Sequence, residues 1–425
     1  MTPDPSSRPP TETIEEPSRR LPVVEACDVL VAGGGIAGVA AAVAAAHLGA
    51  KVCLLEKFCA LGGLATLGNV IVWLPLCDGR GRQVSGGLAE ELLRLSVADL
   101  HRNNPAAQFS RIPACWLPDG DTPARRKTRF ETRFNPSSYL LALEKLAVDA
   151  GVRLLYDTRV CAVHRKNDRI SHVIVENKSG RYAIACRTVV DATGDADVCF
   201  LAGEPTESLD SNVLCGWFYS LDEKGLKLHC LSNRFHPRAL KENAEGPFFR
   251  GDDADQVTGH ILGTRDLIRQ QLEKLRLRKP DTDLQILTPP TMACLRMTRR
   301  LVGSFSLGAS HVHQWLDDTI GLTSDWRQAG PVYAIPLSAL QGVRHSNLLV
   351  AGRCISADTT VWDVTRAIPG CAVTGEACGT AAVLALHQTG GDVRALSIQA
   401  LQSQLRKQGV LLDPALVQPA METDA

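Results

Sequence analysis

Three glycines spaced as Gly33-x-Gly35-x-x-Gly38, with Glu56 eighteen residues beyond the last of them, form the most specific chemical signature in the chain. Backbone N–H groups in the first turn of a helix lack intrahelical acceptors and carry partial positive charge, so a diphosphate is well placed there. In such a turn the first glycine permits the tight bend and the second lets the backbone approach a pyrophosphate. The third lets the helix lie close to its strand. An acid ending the following strand can accept from an adenosine ribose. Ile36 and Ala37, between the glycines, belong to the same turn. The chemistry implied is dinucleotide binding, by NAD or by FAD.

A second group of residues could act on a substrate. Arg296 and Arg300, in Arg296-Met297-Thr298-Arg299-Arg300, suit a two-pronged grip on a carboxylate, and equally suit a strand with solvated or structural arginines. Asp363 and Arg366, in Trp362-Asp363-Val364-Thr365-Arg366, either face a bound molecule or pair with each other. These four are the candidate catalytic residues. His311 and His313 stand two apart; imidazole suits proton transfer, but with no third ligand near in sequence a loop or surface role is favoured and no metal is expected. Trp73 and Asp78 either line a cavity or pack.

The elements that must position these groups follow from periodicity. Asp28–Ala32 reads as a strand, Val39 to about Leu48 as an alanine-rich helix closed by Gly49, and Lys51–Leu55 as a second strand ending on Glu56. That is a strand–helix–strand unit of a parallel sheet. Asn135 is placed to cap a helix with Pro136 in its first turn, and Gly151 ends it. Five β-rich runs follow (153–156, 160–164, 170–176, 181–186 and 189–192), with turn signals at Asn167-Asp168 and Ser179-Gly180, which predicts an antiparallel meander. A charged helix is expected at Arg265–Arg278. A strand at Asn347–Ala351 leads through a loop to a small-residue helix from about Gly370 to Leu386, and a last helix covers Ile398–Gln408.

Composition narrows the class. At 425 residues the chain is too long for one ordinary core. Its 46 basic and 46 acidic residues balance, which gives no electrostatic reason to expect nucleic acid or an anionic membrane as partner. The fourteen cysteines contain no C-x-x-C pair, so they read as reduced thiols of a cytoplasmic protein rather than as zinc or iron–sulfur ligands. The first 24 residues, rich in Pro, Ser, Thr and Glu, read as a disordered tail without a secretory signal. Val29–Ala46 is apolar for nearly a membrane's width, but its glycines fit a strand, turn and helix better, and no membrane span is expected.

Three further stretches separate FAD from NAD. Leu61-Gly62-Gly63-Leu64-Ala65-Thr66 follows Glu56-Lys57. Val189-Val190-Asp191-Ala192-Thr193-Gly194-Asp195-Ala196-Asp197 ends a strand. Gly352 and Arg353 follow the strand at Asn347, and Ile368-Pro369-Gly370-Cys371-Ala372 opens a helix. In this order, from about Cys27 to Leu386, the sequence resembles the FAD-dependent oxidoreductases, two-domain flavoproteins whose wider relatives include fumarate and geranylgeranyl reductases. The resemblance implies that these stretches, together with Val160, line FAD, that the arginine cluster lies in the substrate domain, and that the Trp362–Arg366 loop faces the flavin; no residue points to a covalent attachment, so noncovalent binding is assumed.

The expected fold is α/β, a Rossmann-like FAD-binding domain (25–204 and 333–392) with an inserted α+β substrate or cap domain (205–332). A C-terminal helix and tail (393–425) complete it. The expected activity is two-electron oxidation or reduction of a small organic molecule, with an unidentified electron donor or acceptor. An electron-transfer subunit of a larger complex and a non-catalytic FAD-binding sensor are the alternatives, with an NAD-dependent dehydrogenase behind them. A homodimer is compatible with the sequence but not read from it.

Overall fold

The computed structural model describes residues 12, 14–98, 112–117, 119–236 and 241–420; positions 1–11 and 13 of the expected tail, and 421–425, lie outside the described residues. Regular structure begins with β1 (Val23–Ala32), α1 (Ile36–His47) and β2 (Val52–Leu55). The apolar run is therefore a strand, a turn and a helix. β1 starts two residues inside the expected tail, because Val23 and Glu25 already pair with the strand that contains Ala183 and Ile184.

A short ribbon of β3 (Val72–Trp73) and β4 (Thr132–Arg133) brackets α2 (Leu88–Val97) and α3 (Thr122–Lys127) in sequence. α4 (Pro136–Asp149) starts as its spacing predicts: the Asn135 side chain accepts from the Ser137 and Ser138 N–H groups at 3.0 and 3.4 Å, with Pro136 in the first turn. Then come β5 (Arg153–Leu155), β6 (Arg159–Lys166), β7 (Arg169–Asn177), β8 (Gly180–Asp191) and α5 (Asp197–Ala202). The next stretch holds β9 (Thr206–Ser208), β10 (Asn212–Val213), β11 (Cys215–Asp222), β12 (Gly225–Ser232), β13 (Phe248–Phe249), α6 (Ala254–Arg278), β14 (Gln285–Thr288) and β15 (Arg299–Leu301). Finally come β16 (Thr319–Ser324), β17 (Val332–Pro336), β18 (Leu348–Val350), α7 (Thr359–Thr365), α8 (Ile368–Gln388), α9 (Ile398–Lys407) and α10 (Pro414–Val417).

The main sheet runs β5-β2-β1-β8-β7-β6, and β18 pairs in parallel with the end of β8. β5, β2, β1, β8 and β18 are parallel; β8, β7 and β6 form the meander. Two expectations need correction. The first β-rich run is not part of the meander but the parallel edge beside β2. The last two runs are one strand, because β1 templates β8 straight through Arg187, whose guanidinium reaches out to Asp28 at 3.1 Å. β1 has β2 on one side and β8 on the other, which opens a crevice at its carboxyl end.

α1 is buried on every side because α8 covers the face turned away from the sheet. The two helices meet through glycine: a Cβ on Gly375 would lie 2.2 Å from the Ala37 carbonyl oxygen, and one on Gly379 2.1 Å from that of Ala41. α8 is long and apolar enough to cross a membrane, but 89% of its apolar window is buried inside the protein, as in a core helix. Glu376, on the same helix, accepts from the Leu88 N–H at 2.8 Å and so caps α2 from within the core. β16 and β17 send Ile320, Tyr333 and Ile335 into this core.

β12, β11 and β14 form a separate antiparallel sheet, with α6 packed on it through Phe218, Ile268 and Leu272. α6 begins eleven residues before the expected start at Arg265, where Asp253 accepts from the Gln256 N–H at 2.9 Å. The loop expected before α8 contains α7, capped by Asp358 through the Val361 N–H at 2.8 Å. All fourteen cysteines are free.

Candidate functional site

The three glycines of the first turn each meet a different constraint. Gly33 has φ +100°, and a Cβ there would lie 2.4 Å from the Ala192 carbonyl oxygen. At Gly38 a Cβ would fall 1.8 Å from the Gly33 oxygen, so this glycine lets helix and turn touch. Gly35 is the opposite case: a Cβ there meets nothing within 4 Å, because that side faces open space in the crevice.

Helix ends give a second observation. α4, α6, α7 and α9 are capped by Asn135, Asp253, Asp358 and Ser397, and α2 receives Glu376. α1 and α8 have no side-chain acceptor at their N-terminal N–H groups among the described residues, and no acid in their first turns. Both open on the same cleft, through Gly35, Ile36 and Ala37 at one and Ile368 and Cys371 at the other. Two unneutralised N-termini aimed at one space suit a ligand bearing negative charge at both places.

The outer part of the cleft is a cavity of about 330 Å³ bordered by Glu56, Lys57, Thr158, Val160, Arg299 and neighbours. Glu56 ends β2 and is nearly buried. Its Oε2 accepts from Gly34 N–H at 2.6 Å and its Oε1 from Phe58 N–H at 2.8 Å, so it ties the glycine turn to the strand end. Burial pushes its carboxyl up from the ordinary value, and the two N–H donors oppose that rise. Gly33, Glu56, Lys57 and Thr193 are shared with the inner part, a cavity of about 130 Å³, so the two are continuous. Gly62, Gly63, Leu64, Ala65, Ala192, Gly194, Asp195, Gly352, Arg353, Arg366 and Cys371 border the inner part.

A charged knot borders the inner part. Arg353 donates to Asp195 Oδ1 at 2.7 Å, to the Gly194 oxygen at 2.7 Å and to the Leu295 oxygen at 3.1 Å, while Thr298 donates to the same Asp195 oxygen at 2.6 Å. Burial works against the charge on Asp195, but Arg353, Lys57 and these hydrogen bonds outweigh it and hold its carboxyl below the usual range. Asp191, fully buried at the end of β8, shapes the turn beneath: it accepts from the N–H and hydroxyl of Thr193 at 3.1 and 2.7 Å and from Cys199 N–H at 2.9 Å.

The four candidate catalytic residues separate. Arg366 borders the inner cleft and pairs with the fully buried Asp363 through its Nε at 2.9 Å. Asp363 does not reach the cleft lining; Arg327 approaches its other oxygen at 3.6 Å. Arg296 lies over the Phe235 ring at 4.3 Å, and Arg366 approaches the same ring at 5.8 Å. Arg300 is elsewhere: it donates to Glu207 at 2.5 Å and rests over Trp362 at 5.6 Å, outside the cleft lining.

The remaining expected residues support the cleft from behind. Gly38 packs under the turn, and Thr66 donates to the Leu61 oxygen at 2.6 Å. A Cβ on Gly370 would meet the Thr365 oxygen at 2.6 Å, and Ala372 is fully buried. Trp73 and Asp78 pack, the latter against Arg82 at 2.7 Å. His311 accepts from Gly308 N–H at 2.9 Å and His313 bonds the Val417 oxygen at 2.6 Å; no cluster of three metal-binding side chains occurs among the described residues.

Sequence reasoning passed over Arg299. It borders the outer cleft, donates to Asp197 at 2.5 Å and covers Phe200 at 4.3 Å. Strand alternation was the available signal: on β15, Arg299 and Arg300 must point to opposite faces. Thr158 and Met292 also border the cleft and carry no signal of their own in the sequence, and Ile368, which opens the Ile368–Ala372 stretch, borders it too.

A family model described as FAD dependent oxidoreductase matches residues 28–212 and 256–405. No curated protein matches the chain. Among solved structures, a geranylgeranyl bacteriochlorophyll reductase-like protein from Thermoplasma acidophilum is similar at 13% identity and a TM-score of 0.45, over 92% of this chain and 90% of that one. The p-nitrophenol 4-monooxygenase of Pseudomonas putida DLL-E4 is similar at 12% identity and a TM-score of 0.45, over 89% and 84%. A flavocytochrome c3 fumarate reductase in its open conformation is similar at 14% identity and a TM-score of 0.37, over 84% and 78%.

Proposed function

This chain belongs to the FAD dependent oxidoreductase family, and from that premise we propose that it oxidises or reduces a small organic metabolite by two electrons at the inner end of the cleft. The observation that carries the reading is the pair of uncapped N-termini, α1 and α8, opening on one continuous cleft.

The residues present fit FAD. The N–H groups at Gly35, Ile36 and Ala37 would hold its diphosphate, and Gly35 leaves the space it needs. Glu56 would take the adenosine ribose, with Val160 and Thr158 beside the adenine. Gly62 to Ala65, Gly352 and Cys371 would border the flavin ring, and the α8 N-terminus would stabilise negative charge at its pyrimidine edge. Bound FAD supplies the two-electron chemistry. Arg353 and Asp195 fix the Gly194 turn at the inner part of the cleft, and Arg366, held by Asp363, would present a fixed cation to what enters there.

Residues 25–204 and 333–392 would form the FAD-binding domain and 205–332 the cap over its inner end. Free cysteines throughout support a reducing, cytoplasmic setting. The test is to purify the protein, record its spectrum, identify the nucleotide released on denaturation, and screen metabolites for bleaching without oxygen. A folded protein that stays colourless after soaking with FAD would refute the reading.

A further inference from the structure

A third cavity, of about 390 Å³, lies between the β12-β11-β14 sheet and the segment that carries Thr66, Leu67, Asn69 and the start of α4. It shares no bordering residue with either part of the cleft, yet a single turn of chain separates them. Gly62 to Ala65 border the inner cleft, and Thr66 and Leu67, next in sequence, border this cavity. Met292 and Thr291 divide between the two in the same way. Thr291 ties the wall together: its N–H and its hydroxyl both donate to the Leu67 oxygen, at 2.8 and 3.2 Å.

No charged side chain borders this cavity, whereas Glu56, Lys57, Asp195 and Arg353 border the cleft. The sheet presents open apolar surface to it: Leu226 on β12 and Leu287 on β14 are 38% and 48% exposed. Tyr219 and Pro289 extend that surface, and Leu140 of α4 faces it from the other side. Asn69 supplies a polar point. It is 1% exposed, and its amide nitrogen donates to the Trp217 and Thr288 oxygens at 3.1 and 3.2 Å. Both of those neighbours are acceptors, so the nitrogen must face them and the oxygen must not. The Asn69 Oδ1 accepts from none of the described residues, and it is not sealed in the interior. An acceptor without a donor, on a buried side chain at the edge of a neutral and largely apolar cavity, lacks what a ligand's O–H or N–H would bring.

We propose that this cavity is a second small-molecule site, for an uncharged molecule with an apolar body and one O–H or N–H donor. The body covers Leu226 and Leu287, and the donor meets Asn69 Oδ1. A carboxylate is rejected because no cation there offsets its desolvation and the Asn69 oxygen repels it. An ammonium is rejected because no carboxylate borders the cavity. The site goes beyond the oxidoreductase reading and does not depend on it, since none of its residues borders the cleft.

The test is calorimetric titration of the full chain, with FAD in excess, against two matched sets of probes. One set is benzyl alcohol, its methyl ether and benzoate; the other is cyclohexylmethanol, its methyl ether and cyclohexanecarboxylate. At least one alcohol binds saturably at one site. Its ether, which has no donor, binds about three- to tenfold more weakly, and its carboxylate at least about tenfold more weakly. Leu226→Asp and Leu287→Asp put charge into the lining at positions open enough to keep the fold, and each weakens the alcohol at least about tenfold with melting temperature retained. Ile286→Asp, on the same strand but outside the lining, binds like wild type. Failure of both alcohols to bind, an ether or carboxylate that binds as tightly as its alcohol, or aspartate variants at 226 and 287 that bind like wild type would each overturn the proposal. A protein that binds the alcohol and takes up no FAD would overturn the cofactor reading and leave this site standing.

Discussion

Arg353 lies where a side chain on residue 194 would have to go: a Cβ on Gly194 would meet its guanidinium at 3.2 Å, and the same guanidinium holds Asp195 at 2.7 Å. The strand-end turn at Gly194 and the loop after β18 are therefore locked together by one ion pair, largely withdrawn from water. Arg353→Met leaves Asp195 buried without its main partner and should cost about 3–5 kcal/mol of stability. Adding Asp195→Asn should restore part of that loss. Denaturant unfolding of the two single variants and the double variant checks it; strictly additive losses would mean that the pair is not coupled.

The glycine turn separates folding from binding. Gly38→Ala places a methyl 1.8 Å from the Gly33 oxygen and should yield little folded protein. Gly35→Ala meets no protein atom, so the FAD-free protein should stay within about 1 kcal/mol of wild type, the scale of a helix-cap change. Its affinity for FAD should fall at least about tenfold. Calorimetric melting with and without FAD distinguishes the two; a Gly35→Ala protein that retains FAD normally would remove the diphosphate from this turn.

Glu56→Gln replaces one acceptor oxygen by an amide donor, whereas both oxygens now accept backbone N–H groups, from Gly34 and Phe58. The turn loses one anchor and, in the proposed role, the ribose its charged acceptor. FAD should bind more weakly by on the order of 1–3 kcal/mol, measured by fluorescence of released flavin. Unchanged retention would count against the ribose role.

Glu376 supplies a pH test. Burial pushes its carboxyl up from the ordinary 4.5 to about 8, with Leu88 N–H opposing and Glu91 adding to the rise. The folded chain thus holds this proton more tightly than the unfolded one. Its contribution to stability is fully present below pH 4.5 and declines as pH rises toward about 8. Relative to Glu376→Gln, wild type should lose on the order of a few kcal/mol across that window. Parallel stability profiles for the two proteins would show that the carboxyl is not protonated in the folded state.

Much of the framework of the cleft was legible because its devices are local. A glycine triplet between a strand and a helix, an acid on the next strand end, and Asn135-Pro136 at a helix start each act within a few residues, and β1, α1 and α4 form as those signals predict. Tertiary contacts decided the rest. The early turns of α6 contain Gly259 and Gly263, poor helix residues in isolation, yet a Cβ at Gly263 would lie 2.9 Å from Leu214, so close packing pays for the weak propensity. α7 is rich in β-branched residues and is helical because Asp358 caps it and Val361, Trp362 and Val364 are buried. Arg296 and Arg300 were indistinguishable in sequence; Glu207, remote from both, decides which one is occupied.

The glycine-mediated crossing of α1 and α8 joins residues near the start of the chain to others near its end. Translation therefore delivers the glycine turn long before the helix that backs it. A ribosome must pass Ile368 before α1's alanine surface gains its cover, so the two helices can pack only late in synthesis. A stop codon ahead of that point yields a product with the glycine turn intact and α1's outer face bare.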